Sequence, residues 1–270
     1  MRKLLVTAIT ILLIAPLFFG CAPNENKDVP VKLKWCYKTG FYKYSAPTVV
    51  NGTVYVGDQQ DYVYAIDKDT GKLEWCFCER GAIFTSPSVA DGVVYVGRFY
   101  GPYDDGRLYA IDARSGKLKW RFDLVGVITL SGSPRAVDGI VYIGCSDNYF
   151  YAVNADSGEL KWRFKTGASI LCTPIVADGI VYFGSRDDHI YALDANNGEM
   201  KWRYEVGGWM DFSPSIVDDV IYVGSNDKHL YAIDRDTGVL KWRFETGEKI
   251  LSSPSVVEGL VYIGSADNFL

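Results

Sequence analysis

The sequence has little positive charge, only two histidines and three methionines, and a single long apolar run across its 270 residues. With 28 basic against 33 acidic side chains the formal net charge is −5. Binding to nucleic-acid phosphates needs a basic surface, so a nucleic-acid partner is disfavoured. Hydrophobic residues at 48% and charged ones at 23% suit one aqueous core, which excludes a disordered chain, a collagen-like fibre and a multi-span membrane protein. What is abundant points elsewhere. The 27 glycines, 19 tyrosines and seven tryptophans suit pleated strands broken by frequent turns, and so an all-β chain.

The apolar run sits near the beginning. Met1 to Lys3 carry two positive charges, Leu4 to Phe19 are sixteen uncharged residues, and Gly20 and Cys21 end the stretch. That order is the layout of a secretory signal and is short for a membrane span, so residues 1–20 are predicted to be a signal peptide. Leu17-Phe18-Phe19-Gly20-Cys21 resembles a bacterial lipobox, with Phe18 where leucine is usual. The resemblance implies cleavage before Cys21 and a diacylglyceryl group on its thiol. Residues 21–31 are polar and without periodicity, as a tether between lipid and folded body would be. No Asp follows Cys21, as in lipoproteins sorted to the outer membrane. The expectation is an exported, lipid-anchored chain at the outer membrane, facing periplasm or cell surface.

Lipidation of Cys21 would leave Cys36, Cys76, Cys78, Cys145 and Cys172, an odd number. Cys76 and Cys78 share one face of a predicted strand and are awkwardly placed to bond each other. No disulfide is assigned, and a Cys145 to Cys172 pair stays open.

The remainder, residues 32–270, is one repeat. Trp35, Trp75, Trp120, Trp162, Trp202 and Trp242 recur at intervals of 40 to 45 residues, and Pro47, Pro87, Pro134, Pro174, Pro214 and Pro254 march with them. One copy reads Ser213 to Val217, Val220 to Gly224, His229 to Asp234 and Leu240 to Phe244, four short apolar runs separated by Asp, Asn, Ser and Gly clusters. Four strands in 40 residues make an antiparallel sheet with two apolar faces. Such a sheet buries both faces only by stacking on copies of itself, which predicts a β-propeller.

Tyr64-Ala65-Ile66-Asp67-Lys68-Asp69-Thr70-Gly71-Lys72-Leu73-Glu74-Trp75 and its copies resemble the tryptophan-docking motif of quinoprotein-type (PQQ-repeat) propellers. The resemblance implies that Trp75, Trp120, Trp162, Trp202 and Trp242 are structural, each indole packing on a neighbouring blade. Gly71, Gly116, Gly158, Gly198 and Gly238 would turn the chain with positive φ, and Asp67 and its equivalents would accept turn N–H groups. Counting gives about six blades of four antiparallel strands, with the segment Lys32 to Lys38 completing the last. A fragment of a seven- or eight-bladed ring fits equally, because the final unit stops at Phe269-Leu270.

Catalytic members of such propellers hold a quinone with a vicinal Cys-Cys disulfide, a Ca²⁺ site and an Asp base. No Cys-Cys pair occurs here, and Cys76-Phe77-Cys78 falls on an outer strand. No PQQ, other cofactor, metal or catalytic residue is therefore assigned. His189 and His229 occupy a position that other units fill with Tyr62, Tyr149 and Phe269, which asks for a ring rather than a ligand. Asp147, Asp187, Asp227 and Asp267 recur in one turn and are explained by turn chemistry.

Departures from the repeat carry more information. The loop Arg98 to Arg107 is about five residues longer than its equivalents, and its Phe99, Tyr100, Tyr103 and Asp104 suit protein contact. Large residues before each proline, among them Ile83, Leu130, Ile170, Met210 and Ile250, gather at one end of the ring, as packing or as a docking surface. Trp209 is the one tryptophan outside the period, and with Met210 it is the leading candidate for recognition. The lipid anchor and repeats are similar to the BamB family of outer-membrane β-barrel assembly lipoproteins. That resemblance implies a non-enzymatic scaffold with envelope protein partners, an outer-membrane β-barrel assembly complex among them. The alternative is a PQQ-dependent dehydrogenase-like or ligand-binding surface protein.

Overall fold

The computed structural model describes residues 32–40, 45–58, 60–79, 82–83, 85–99, 106–124 and 132–267. All its regular elements are strands, in units that follow the repeat. The first blade is β1 (Thr48–Val50), β2 (Thr53–Gly57), β3 (Tyr62–Asp67) and β4 (Leu73–Cys78). The second comprises β5 (Ala82–Ile83), β6 (Ser88–Ala90), β7 (Val93–Phe99), β8 (Arg107–Asp112) and β9 (Leu118–Asp123). The third is β10 (Arg135–Val137), β11 (Ile140–Gly144), β12 (Tyr149–Asn154) and β13 (Leu160–Lys165), and the fourth is β14 (Ile175–Ala177), β15 (Ile180–Gly184), β16 (His189–Asp194) and β17 (Met200–Glu205). The fifth is β18 (Ser215–Val217), β19 (Val220–Gly224), β20 (His229–Asp234) and β21 (Leu240–Glu245), after which come β22 (Ser255–Val257) and β23 (Leu260–Tyr262).

Four units are four-stranded antiparallel sheets in the order first, second, third, fourth. The second blade differs: β7 runs two residues longer than its counterparts, and β5 pairs with the extension at Arg98 and Phe99. The first and second strands join through tight turns such as Asp138-Gly139, where φ is +51° and +72°. Consecutive positive φ values give the turn whose twist matches a hairpin, and Asp, Asn and Gly tolerate them. Between third and fourth strands every blade carries one irregularity of register, at Ala65/Ile66 and its equivalents.

The core lies between blades. Tyr142, Phe150, Trp162 and Phe183 form one interface cluster, with the rings of Phe150 and Phe183 parallel at 4.0 Å. Neighbouring blades also meet through their first strands, which places those strands innermost.

One expectation is corrected. Residues 32–39 form no strand and pair with nothing in β22 or β23, which stand as a two-stranded sheet among the described residues. The reason lies in the strand order. A fourth strand pairs with a third, and no third strand follows β23 among the described residues. The segment instead lies on the first blade, where the Trp35 indole donates to Lys68 O at 2.8 Å.

Candidate partner-binding site

Three sets of contacts hold one blade against the next, and the candidate site grows from a place where the repeat departs from them. In the first set each indole Nε1 donates to a turn carbonyl of the following blade: Trp75 to Ala113, Trp120 to Ala155, Trp162 to Ala195 and Trp202 to Arg235, at 2.8 to 3.0 Å. The turn glycine serves twice. Gly158 has φ of +73°, and a Cβ there would stand 2.7 Å from Trp120 Cδ2. Only glycine gives the turn its sign and the indole its room. The turn is fixed by its acid, as Thr70 donates its N–H and Oγ1–H to Asp67 Oδ1 at 2.7 and 2.6 Å. These bonds from Thr70 hold the Asp67 carboxyl below its ordinary range.

The second set joins a glycine N–H at the end of one blade to a carboxylate of the next: Gly167 to Asp187 at 2.6 Å and Gly207 to Asp227 at 2.9 Å. The same carboxylates accept the hydroxyls of Tyr191 and Tyr231. The first blade has Gln60 at this position, and Asp58, two residues earlier, accepts Gly40 N–H and Tyr64 Oη–H instead. His189 and His229 share these turns, their Nδ1 atoms lying 2.7 and 3.0 Å from the carbonyls of Asp187 and Asp227.

In the third set a residue four positions before each crossing proline plugs the blade that it follows. Ile83, Ile170, Met210 and Ile250 are 1% exposed or less and lie over Gly57, Gly144, Gly184 and Gly224. Met210 is therefore a packing residue, a correction to its candidacy for partner contact. A Cβ on Gly184 would stand 2.7 Å from its own Cβ. Of the residues gathered before the prolines these four are packing, whereas Leu251 is 49% exposed and Leu130 lies outside the described residues.

Trp209 is different. Its backbone is held by Asn226 N–H at 3.0 Å, while its side chain is 51% exposed. The Arg186 guanidinium lies over the ring, 5.0 Å from its centroid, and reaches Asp211 with Nε at 2.7 Å and Nη2 at 3.0 Å. The Asp211 carboxylate holds the Arg186 proton more firmly than usual. Equivalent positions elsewhere carry Ser169 or Lys249 for Trp209, Leu171 or Leu251 for Asp211, and Ser146 or Asn226 for Arg186. Three departures from the repeat thus meet at one crossing. A fork-shaped ion pair orients the guanidinium, the guanidinium braces one ring face, and the other presents apolar area at small entropic cost. Sequence reasoning found Trp209 and missed its two partners. The signal was available, because Arg186 and Asp211 also break the repeat.

Phe99 lies in β7 with its backbone paired to Ala82. Its side chain, together with Tyr100, Tyr103, Asp104 and the lipidation candidate Cys21, lies outside the described residues. Arg98 and Arg107, read as loop residues, are a register pair of β7 and β8, and Arg98 is 4% exposed. Trp242 carries the docking context but is 42% exposed, with no docking turn opposite it among the described residues. Cys36, Cys76 and Cys78 are exposed and Cys145 and Cys172 buried, with no disulfide among these described residues. Among the described residues no three His, Cys, Asp or Glu side chains cluster as a metal site.

The family model described as outer membrane protein assembly factor BamB matches residues 38–147, 104–213 and 206–270. Among solved structures, BamB from Moraxella catarrhalis superposes with a TM-score of 0.75 at 20% identity, over 86% of this chain and 74% of that one. Quinohemoprotein alcohol dehydrogenase from Comamonas testosteroni gives a TM-score of 0.63 at 21% identity, covering 76% of this chain and 43% of that one. A europium-containing methanol dehydrogenase gives 0.66 at 16% identity, covering 79% and 53%. At such identities the likeness is one of fold. No curated protein matches the chain.

Proposed function

The chain belongs to the family described as outer membrane protein assembly factor BamB, and on that premise we propose that it is a non-enzymatic propeller scaffold for protein contacts at the cell envelope. In this reading Cys21 carries a lipid, residues 21–31 tether the propeller, and the partner belongs to the machinery that assembles outer-membrane proteins. The observation that carries the reading is the braced Trp209. It is a large exposed aromatic fixed by Arg186 and Asp211, next to a Met210 that is fully buried. Centrally placed, pre-oriented tryptophans with arginine neighbours are the residues that dominate binding energy at protein interfaces. Redox catalysis of the kind named in the dehydrogenase structures would need further groups, and no set of residues in this sequence is assigned to them.

The test is affinity capture from detergent-solubilised membranes with the full chain and with Trp209→Ala. The expected result is a discrete envelope partner recovered by the unaltered chain and lost with the variant, whose thermal stability is unchanged. Recovery of no partner, together with quinone-dependent dye reduction by the purified chain, would sink the proposal. Mass spectrometry of the mature N-terminus tests the anchor separately: a diacylglyceryl mass on Cys21 is expected, and an unmodified Cys21 refutes it.

A further inference from the structure

We propose that Cys76 and Cys78, on the outer strand of the first blade, form a two-thiolate site for a soft monovalent cation of the Cu(I) type, independent of the scaffold reading. Both lie on β4, two residues apart, and both are exposed. Alternate residues of a strand share one face at a separation of about 6 to 7 Å. The register sets Cys76 against Tyr64 and Cys78 against Tyr62, two tyrosines whose rings stack at 5.7 Å. The Tyr62 hydroxyl donates to the Cys78 thiol, and this bond, with Cys76 close by, holds the phenol above its ordinary range. Both sulfurs are thus neighbours of one hydroxyl.

The other blades show what this place ordinarily holds. The equivalents of Cys76 are Arg121, Arg163, Arg203 and Arg243, and those of Cys78 are Asp123, Lys165, Glu205 and Glu245. Two charged positions have become thiols together, in one blade and on one face, and exposed positions need no sulfur for packing. In the third blade Tyr149 is the counterpart of Tyr62, and its ring centroid lies 4.7 Å from the Arg163 guanidinium and 5.8 Å from the Lys165 ammonium. That edge holds positive charge against an aromatic ring. The first blade keeps the ring and replaces both cations with soft ligands, which select Cu(I) among biological ions. Two metal–sulfur bonds of about 2.3 Å span about 4.6 Å, which thiols on one strand face can close by side-chain rotation. A structural Zn²⁺ asks for four ligands, and among the described residues no third His, Cys, Asp or Glu joins the pair. Binding breaks two S–H bonds, forms two S–Cu bonds and releases two protons to solvent, with the oxidation state of the ion unchanged.

Titration of the reduced full chain with Cu(I) under argon, in competition with the chromogenic chelator bathocuproine disulfonate, tests the site. The chain is expected to withhold one Cu(I) from the chelator. Affinity should fall about a hundredfold or more in Cys76→Ser and in Cys78→Ser alike, and stay unchanged in Cys21→Ser and Cys36→Ser. Failure to withhold Cu(I), equal retention by the chain carrying both Cys76→Ser and Cys78→Ser, or dependence on Cys36 instead overturns the proposal. Alkylation read by peptide mass spectrometry gives a second measurement that needs no variant. Bound Cu(I) should protect Cys76 and Cys78 from iodoacetamide while Cys36 stays reactive, and equal labelling of the pair with and without the ion counts against the site.

Discussion

Trp162 and Trp242 share the context Leu-Lys-Trp-Arg-Phe, yet the first is 9% exposed and the second 42%. Their own sheets are alike. The difference is the neighbour: Trp162 meets a turn that offers the Ala195 carbonyl and a glycine with no Cβ, whereas Trp242 has no described turn opposite. The energy of the docking tryptophan therefore belongs to a junction and not to a blade. Trp162→Ala should have the largest effect of any single substitution, about 3 to 5 kcal/mol, because it leaves a cavity and an unused carbonyl inside an interface. Trp242→Ala should cost well under half of that. Urea unfolding of both variants checks the pair, and equal losses would break the comparison.

The glycine on the other side of the junction sharpens it. Gly158 and Gly139 have nearly the same φ, +73° and +72°, but a Cβ on Gly158 would collide with the Trp120 ring while one on Gly139 would meet nothing within 4 Å. Gly139→Ala should cost about 1 kcal/mol for the backbone alone. Gly158→Ala should cost about 1 to 3 kcal/mol more, since an indole in a close-packed interface must move. The gap between the two isolates the docking contact from the turn. If thermal unfolding gives the two variants the same loss, the glycine is there only for its φ.

The docking glycine also marks the limit of what was legible in the sequence. Strand count, blade order and turn positions followed from the period, because four apolar runs and three turn clusters are written in every copy. The positive φ of Gly158 followed from turn chemistry. That the same glycine faces a tryptophan 38 residues away did not, since a contact between blades leaves no local pattern. Asp58 fails for the same reason: it stands at a Ser position and does the work of Asp187 in a blade whose aligned residue is Gln60. At the candidate site, Trp209 was visible as an aromatic outside the period. Its braces were visible singly as departures from the repeat, but their pairing was not, because Arg186 and Asp211 lie in two different turns that only the stacking of blades brings together. The expected closing strand failed on a rule of pairing, not of composition.

A carboxylate at a blade junction extends the comparison to pH. Burial pushes the Asp227 carboxyl up, but hydrogen bonds from the Tyr231 hydroxyl, the His229 N–H, Ser225 and the Gly207 N–H outweigh it and hold the group below its ordinary value. A carboxylate with a lowered folded pKa stabilises the fold above its unfolded value, near 4, and that contribution is lost as pH falls through the folded pKa. Asp227→Asn should cost about 1 to 3 kcal/mol at pH 7, because the amide nitrogen meets donors where an oxygen accepted them. The penalty should shrink below about pH 4. Unfolding measured at pH 7 and pH 3 checks both halves, and a penalty that does not change with pH would remove the carboxylate's charge from the account.

The smallest effect is expected where a departure from the repeat changes an atom but not a role. Cys172 Sγ accepts Gly184 N–H at 3.2 Å and donates to Gly184 O at 3.3 Å. Ser45 does the same with Gly57 at 3.0 and 2.9 Å, and Thr85 with Gly97 at 2.7 and 3.3 Å. Burial raises the Cys172 thiol to about 12, so it stays protonated and unreactive at neutral pH. Cys172→Ser therefore swaps one buried donor and acceptor for another that the fold already uses, and its cost should stay within about 1 kcal/mol. Cys172→Val, which fills the space but cannot bond Gly184, should cost about 1 to 3 kcal/mol by leaving both backbone groups unmet. Were the valine variant as stable as the serine one, the hydrogen bond would be incidental and packing alone would hold the crossing.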